Sequence, residues 1–129
     1  MGFIQMTIPH LHLAIFLTFS SVFTSATAFG ENDFEESVKP VLAKRCFRCH
    51  GPEKQKGKLR LDQLDPDMVK GNAAETWHDA LNQLNLGEMP PEDEPQLTPA
   101  ERTTLTKWLN TGLKRAAKAR QGIGGQAVL

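Results

Sequence analysis

The 129-residue chain carries 15 basic and 15 acidic side chains, so its formal charge is zero and nothing in the balance points to nucleic acid. At 40% apolar residues it is no low-complexity chain, and two cysteines are too few for a disulfide scaffold. One domain is what this length allows.

Residues 1–30 hold no Lys, Arg, Asp or Glu, and the largely apolar run Leu11–Phe23 is followed by Ala26-Thr27-Ala28, a small-x-small pattern. This predicts a secretory signal peptide over 1–28, cleaved after Ala28, and export to the periplasm or cell envelope. The leader lacks a basic residue, so an uncleaved membrane anchor is the alternative. The apolar run is short for a span of about 20 residues. His10 and His12 fall in this leader and receive no chemistry. The domain is then 29–129, with an ordered core expected over about 32–118.

Every charged residue lies beyond the leader, and the charges are segregated. Lys39, Lys44, Arg45, Arg48, Lys54, Lys56, Lys58 and Arg60 face only Glu53 in the same stretch, while acids gather at 31–36 and 88–94. The bland reading of the basic stretch is a solvated face. The sharper one is steering of acidic redox partner proteins.

The first helix is expected from Asn32 or Asp33, either of which can cap it, with Phe34, Val38, Val41 and Leu42 on one stripe. Pro40 removes one intrahelical bond and should bend the helix without ending it.

That stripe leads into Cys46-Phe47-Arg48-Cys49-His50. Two thiols three residues apart lie on one side of a helical turn, where each can add to a vinyl group on a porphyrin edge. The next residue then sits under the iron. Cys-x-x-Cys-His therefore reads as an attachment site for one covalent haem c, with Cys46 and Cys49 as tethers and His50 as the proximal axial ligand. Three other readings fit less well. A thioredoxin-like pair wants a preceding β-strand; a structural zinc site wants four suitably spaced ligands; a Cys46–Cys49 disulfide leaves His50 unexplained.

Gly51-Pro52 stops the helix, and the run to Leu64 has no regular period, though Leu59 and Leu61 can reach a haem from a loop. Asp65-Pro66-Asp67 can start a single turn ending by Gly71. A clearer helix spans about Ala74–Leu86, with Trp77, Ala80, Leu81 and Leu84 on one face and Gly87 as its stop. In Gly87-Glu88-Met89-Pro90-Pro91 the prolines force an extended path and hold Met89 on a stiff loop. Its thioether suits haem iron opposite a histidine, so Met89 is the expected distal ligand. His78 and Met68 are its rivals, and a core gap-filler is the bland role for Met89.

The last element is signposted by Thr98-Pro99-Ala100-Glu101, a capping box with proline at the first helical position. Leu105, Trp108, Leu109, Gly112 and Leu113 make its buried stripe, and the helix should reach about Lys118 before a loose tail from Gly122.

Together these runs resemble the small c-type cytochromes with a histidine and methionine pair, and more narrowly the planctomycete-type cytochrome c domain. The likeness is carried by Val38–Leu42, Cys46–Pro52, Leu59–Asp62, Trp77, Gly87–Pro91 and Trp108-Leu109. The resemblance implies an all-α fold, the small cytochrome c fold, whose first and last helices cross over the haem. It implies electron transfer without substrate chemistry of the protein's own. Members of that family continue into further domains, whereas this sequence stops at Leu129. A free-standing carrier and a piece of a larger protein are both open. The alternatives in function are the haem domain of a larger oxidoreductase or peroxidase-type enzyme and a haem-based sensor, each of which needs an open sixth position.

Overall fold

The computed structural model describes residues 33–124 together with Met1 and Gly2. Residues 3–32, and with them most of the predicted leader, and residues 125–129 lie outside the described residues. The fold is all-α. Its first helix opens as a π-helical turn, Phe34–Val38, and continues as α1, Lys39–Arg45. The π-turn is the local answer to Pro40. The Lys39 N–H reaches back to the Phe34 carbonyl, five residues away, so the bond lost at proline is absorbed by a wider turn. Asp33, one of the two expected N-caps, is itself helical and makes no side-chain cap bond.

After a break at Cys46, the four-residue α2, Phe47–His50, carries the motif. An irregular segment follows, with 3-10 turns at Lys56–Lys58 and Leu61–Gln63. The expected turn after Pro66 is present but not helical. Asp65 and Asp67 carboxylates accept the N–H groups of Asp67, Val69 and Lys70 at 2.8 to 3.0 Å, side-chain bonds that compete with a helix. Two longer helices complete the fold, α3, Ala74–Leu86, and α4, Pro99–Gly124. The stripe predicted an end near Lys118, but α4 continues to Gly124: Ala119, Arg120 and Gln121 are good helix formers, and no proline stops the helix before Gly122 and Gly124.

Both predicted helix ends of the middle section have the expected chemistry. Gly87 adopts φ 75° and ψ 11°, so the Glu88 N–H reaches the Gln83 carbonyl and the Gly87 N–H that of Leu84. At the start of α4, Thr98 N–H donates to Glu101 Oε2 at 2.8 Å and Glu101 N–H donates to Thr98 Oγ1 at 3.2 Å.

The core joins the first helix to α3 and α4. Val38, Trp77, Leu105 and Leu109 are its most buried large side chains. Phe34 lies against Trp108 with ring centroids 5.1 Å apart, so the first and last helices meet through an aromatic contact. No helix among the described residues is long and apolar enough to cross a membrane.

Candidate haem site

A cavity of about 350 Å³ opens between α1–α2, α3 and the loop after α3. Such a volume falls within the usual range for small-molecule sites. Its apolar wall comes from Leu42, Leu59, Leu61, Leu84, Leu105 and Leu109, with Trp77 and Trp108 behind. Cys46, Cys49 and His50 line it, and so does Met89.

The motif is positioned by backbone bonds. Cys46 N–H continues the helical pattern to the Leu42 carbonyl at 2.8 Å, while the N–H groups of Cys49 and His50 both turn back to the Cys46 carbonyl at 3.0 and 2.9 Å. Gly51 then ends the helix where no side chain fits, because a Cβ there would lie 2.2 Å from the Phe47 carbonyl oxygen. Cys46 and Cys49 are free thiols. Burial, together with the neighbouring Cys49, pushes the Cys46 thiol up to about 11, so it is held as the neutral SH.

Met89 is placed by the Gly87 turn. Its N–H also reaches the Gln83 carbonyl at 3.3 Å, and its half-buried side chain joins the cavity wall. The two rivals are elsewhere. His78 stands on the exposed side of α3, its side chain 59% accessible and its ring 3.4 Å from the Asn82 amide. Met68 is buried against α4, where a Cβ at Gly112 would come within 2.6 Å of its sulfur; that thioether is committed to the core.

The basic stretch is less free than its sequence suggests. Lys39 pairs with Glu35, Arg60 with Asp62, and Arg48 with Glu94. Lys44 and Arg45 both hold Glu101, Arg45 through a fork with Nε and Nη2 each 3.1 Å from a carboxylate oxygen. The Thr98 N–H, then Arg45 and then Lys44 keep the Glu101 carboxyl down at about 2. Lys54, Lys56 and Lys58 are exposed and form no ion pair among the described residues.

The residues present fit a haem. The cavity is apolar and edged by two thiols, and the buried Nδ1 of His50 has no hydrogen-bond partner among the described residues. A buried polar atom left so costs about 1–3 kcal/mol. That deficit is in keeping with a wall meant to meet a bound group.

Residues 46–93 match the family model described as planctomycete cytochrome C. Over this segment the chain is similar to that cytochrome c family. The match begins at Cys46 of Cys-x-x-Cys-His and ends just past Pro90-Pro91, so it spans both that motif and the loop that carries Met89. A cytochrome c domain carries haem c and serves electron transfer. No curated protein matches the chain. No solved structure matches it either.

Sequence reasoning found the motif, Met89 and most of the apolar wall. Arg45, Arg48 and Lys56 of the basic stretch also border the cavity, and so do Thr76, Asp79 and Gln83, to which sequence reasoning gave no part. Their spacing on each element places them beside the recognised wall residues, but charged and polar side chains give no periodic signal of facing inward.

Proposed function

We propose that the chain is an exported electron carrier with one covalent haem c, held through Cys46 and Cys49 and ligated by His50 and Met89. The observation that carries this reading is the shared cavity, which gathers the two thiols, His50 and Met89 while His78 lies outside it. Haem c, when bound, supplies an iron that passes between the ferric and ferrous states.

The chain's own residues do the rest. Cys46 and Cys49 would supply the sulfurs of the two thioether tethers, and burial keeps the Cys46 sulfur a neutral thiol until then. His50 offers an imidazole nitrogen and Met89 a soft thioether, a donor that favours the reduced metal. The leucine and tryptophan wall excludes water, which raises the cost of charge at the centre and so tunes the potential. No acid, base or nucleophile is required of the protein. Export to the periplasm or envelope is supported by the charge-free leader, and Lys54, Lys56 and Lys58 offer acidic redox partners a cationic approach to the cavity.

Met89→Ala and His78→Ala, each in the loaded protein, test the ligand set. The first should keep covalent haem, lower the potential and bind cyanide or carbon monoxide readily; the second should change none of these. The reverse pattern would install His78 as the distal ligand. Fast binding by the unaltered protein would favour an enzyme or sensor.

A further inference from the structure

The loop that bears Met89 is built around a side chain to which the ligand set gives no role. Pro90 and Pro91 have no N–H, and their carbonyls converge with that of Glu94 on one donor, Gln96 Nε2, at 3.3, 2.7 and 2.9 Å. An amide has two hydrogens, so three acceptors share them through a three-centre bond. Pro90 is buried whereas Gln96 is exposed, so the amide is not placed there by core packing. The loop is closed further by the Glu94 N–H, which donates to the Pro91 carbonyl at 3.0 Å. It is tied to the attachment motif by the ion pair of Glu94 with Arg48.

We propose that Gln96 is a positioning residue that clamps the loop 89–94 and thereby holds the Met89 thioether at the cavity wall. This rests on the ligand role proposed above for Met89. Three carbonyl oxygens turned toward one point repel one another, and the Gln96 amide places its partly positive hydrogens between them. Without it the loop opens to let water reach the carbonyls, and the methionine leaves the wall more often.

The isosteric Gln96→Glu separates a clamp from bulk. It keeps size and shape but replaces the donor with a further acceptor, a charged carboxylate facing three carbonyls, so a clamp should fail more in Gln96→Glu than in Gln96→Ala. A merely space-filling role at an exposed site would favour Glu over Ala. The readout is the rate at which added imidazole binds the ferric loaded protein, followed by absorbance, beside Met89→Ala and the unaltered chain. We expect Gln96→Ala to bind about tenfold faster than the unaltered chain, as loss of one to two net hydrogen bonds implies. Gln96→Glu should be faster still, and Met89→Ala fastest. If Met89→Ala is fast while both Gln96 variants match the unaltered chain, the clamp is overturned and the ligand role stands. If Met89→Ala is no faster than the unaltered chain, the ligand role falls and the clamp with it.

Discussion

Trp77 and Trp108 meet edge to face, their ring centroids 5.1 Å apart and their planes at 87°, and both also border the cavity. Phe34 completes the cluster, 6.5 Å from Trp77 and 5.1 Å from Trp108. One set of aromatic contacts therefore joins the first helix, α3 and α4 and forms the back of the site. In a domain with so small a core, site and fold are held by the same side chains.

Trp108→Ala removes the ring that touches both others and should cost about 3–5 kcal/mol. Trp77→Phe keeps an aromatic ring but loses the bond from Nε1 to the Asp65 carbonyl at 2.8 Å, and should cost on the order of 1–2 kcal/mol. His78→Ala, on the exposed face one residue away, should lie within about 0.5 kcal/mol of zero. Denaturant unfolding of the loaded proteins gives all three numbers. Equal costs for Trp108→Ala and His78→Ala would remove the cluster from its structural role.

The parts of this arrangement visible in the sequence are those set by local rules. The stripe of Trp77, Leu81 and Leu84, the glycine stop at Gly87 and the Thr98–Glu101 capping box each rest on residues within one or two turns. What stayed hidden depends on tertiary placement. The π-turn at Phe34–Val38 is a choice between two ways of accommodating Pro40, and the pattern of apolar residues does not distinguish them. Arg45 meets Glu101 across 56 residues and Arg48 meets Glu94 across 46, so a stretch that reads as a continuous basic rim is partly neutralised in the fold. Gln96 is likewise an ordinary polar loop residue until the proline carbonyls turn toward it.

Glu101 links stability to pH in a stated direction. Its carboxyl is held at about 2 in the fold against an ordinary value of 4.5, so it binds its proton less readily folded than unfolded. The contribution is complete above the ordinary value and is lost as pH falls toward 2. Glu101→Gln lacks this dependence. The stability difference between the unaltered protein and Glu101→Gln should therefore be constant above about pH 5 and shrink steadily below it. Unfolding midpoints measured from pH 7 down to 2 check this; a difference that stays constant to pH 2 would detach the carboxyl from Arg45 and Lys44.

Lys54, Lys56 and Lys58 form no ion pair among the described residues, and Lys56 borders the cavity. If they steer an acidic partner, electron-transfer rates with it should fall as salt rises from 0.01 to about 0.15 M, where the screening length drops from about 30 to about 8 Å. Neutralising all three should lower the low-salt rate by about tenfold or more and flatten the salt dependence, with little change in stability. Rates independent of salt would make them a solvated face.

The most direct measurement is the intact mass of the exported protein together with its absorption spectrum in alkaline pyridine, alongside the double variant Cys46→Ala/Cys49→Ala. The account predicts a chain shortened after Ala28 and heavier by one haem, with the spectrum of a haem bound through two thioethers. The double variant should lose that mass completely, since the chain has no other cysteine. A bare polypeptide mass from cells able to attach haem, or haem still covalently bound in the double variant, would contradict it.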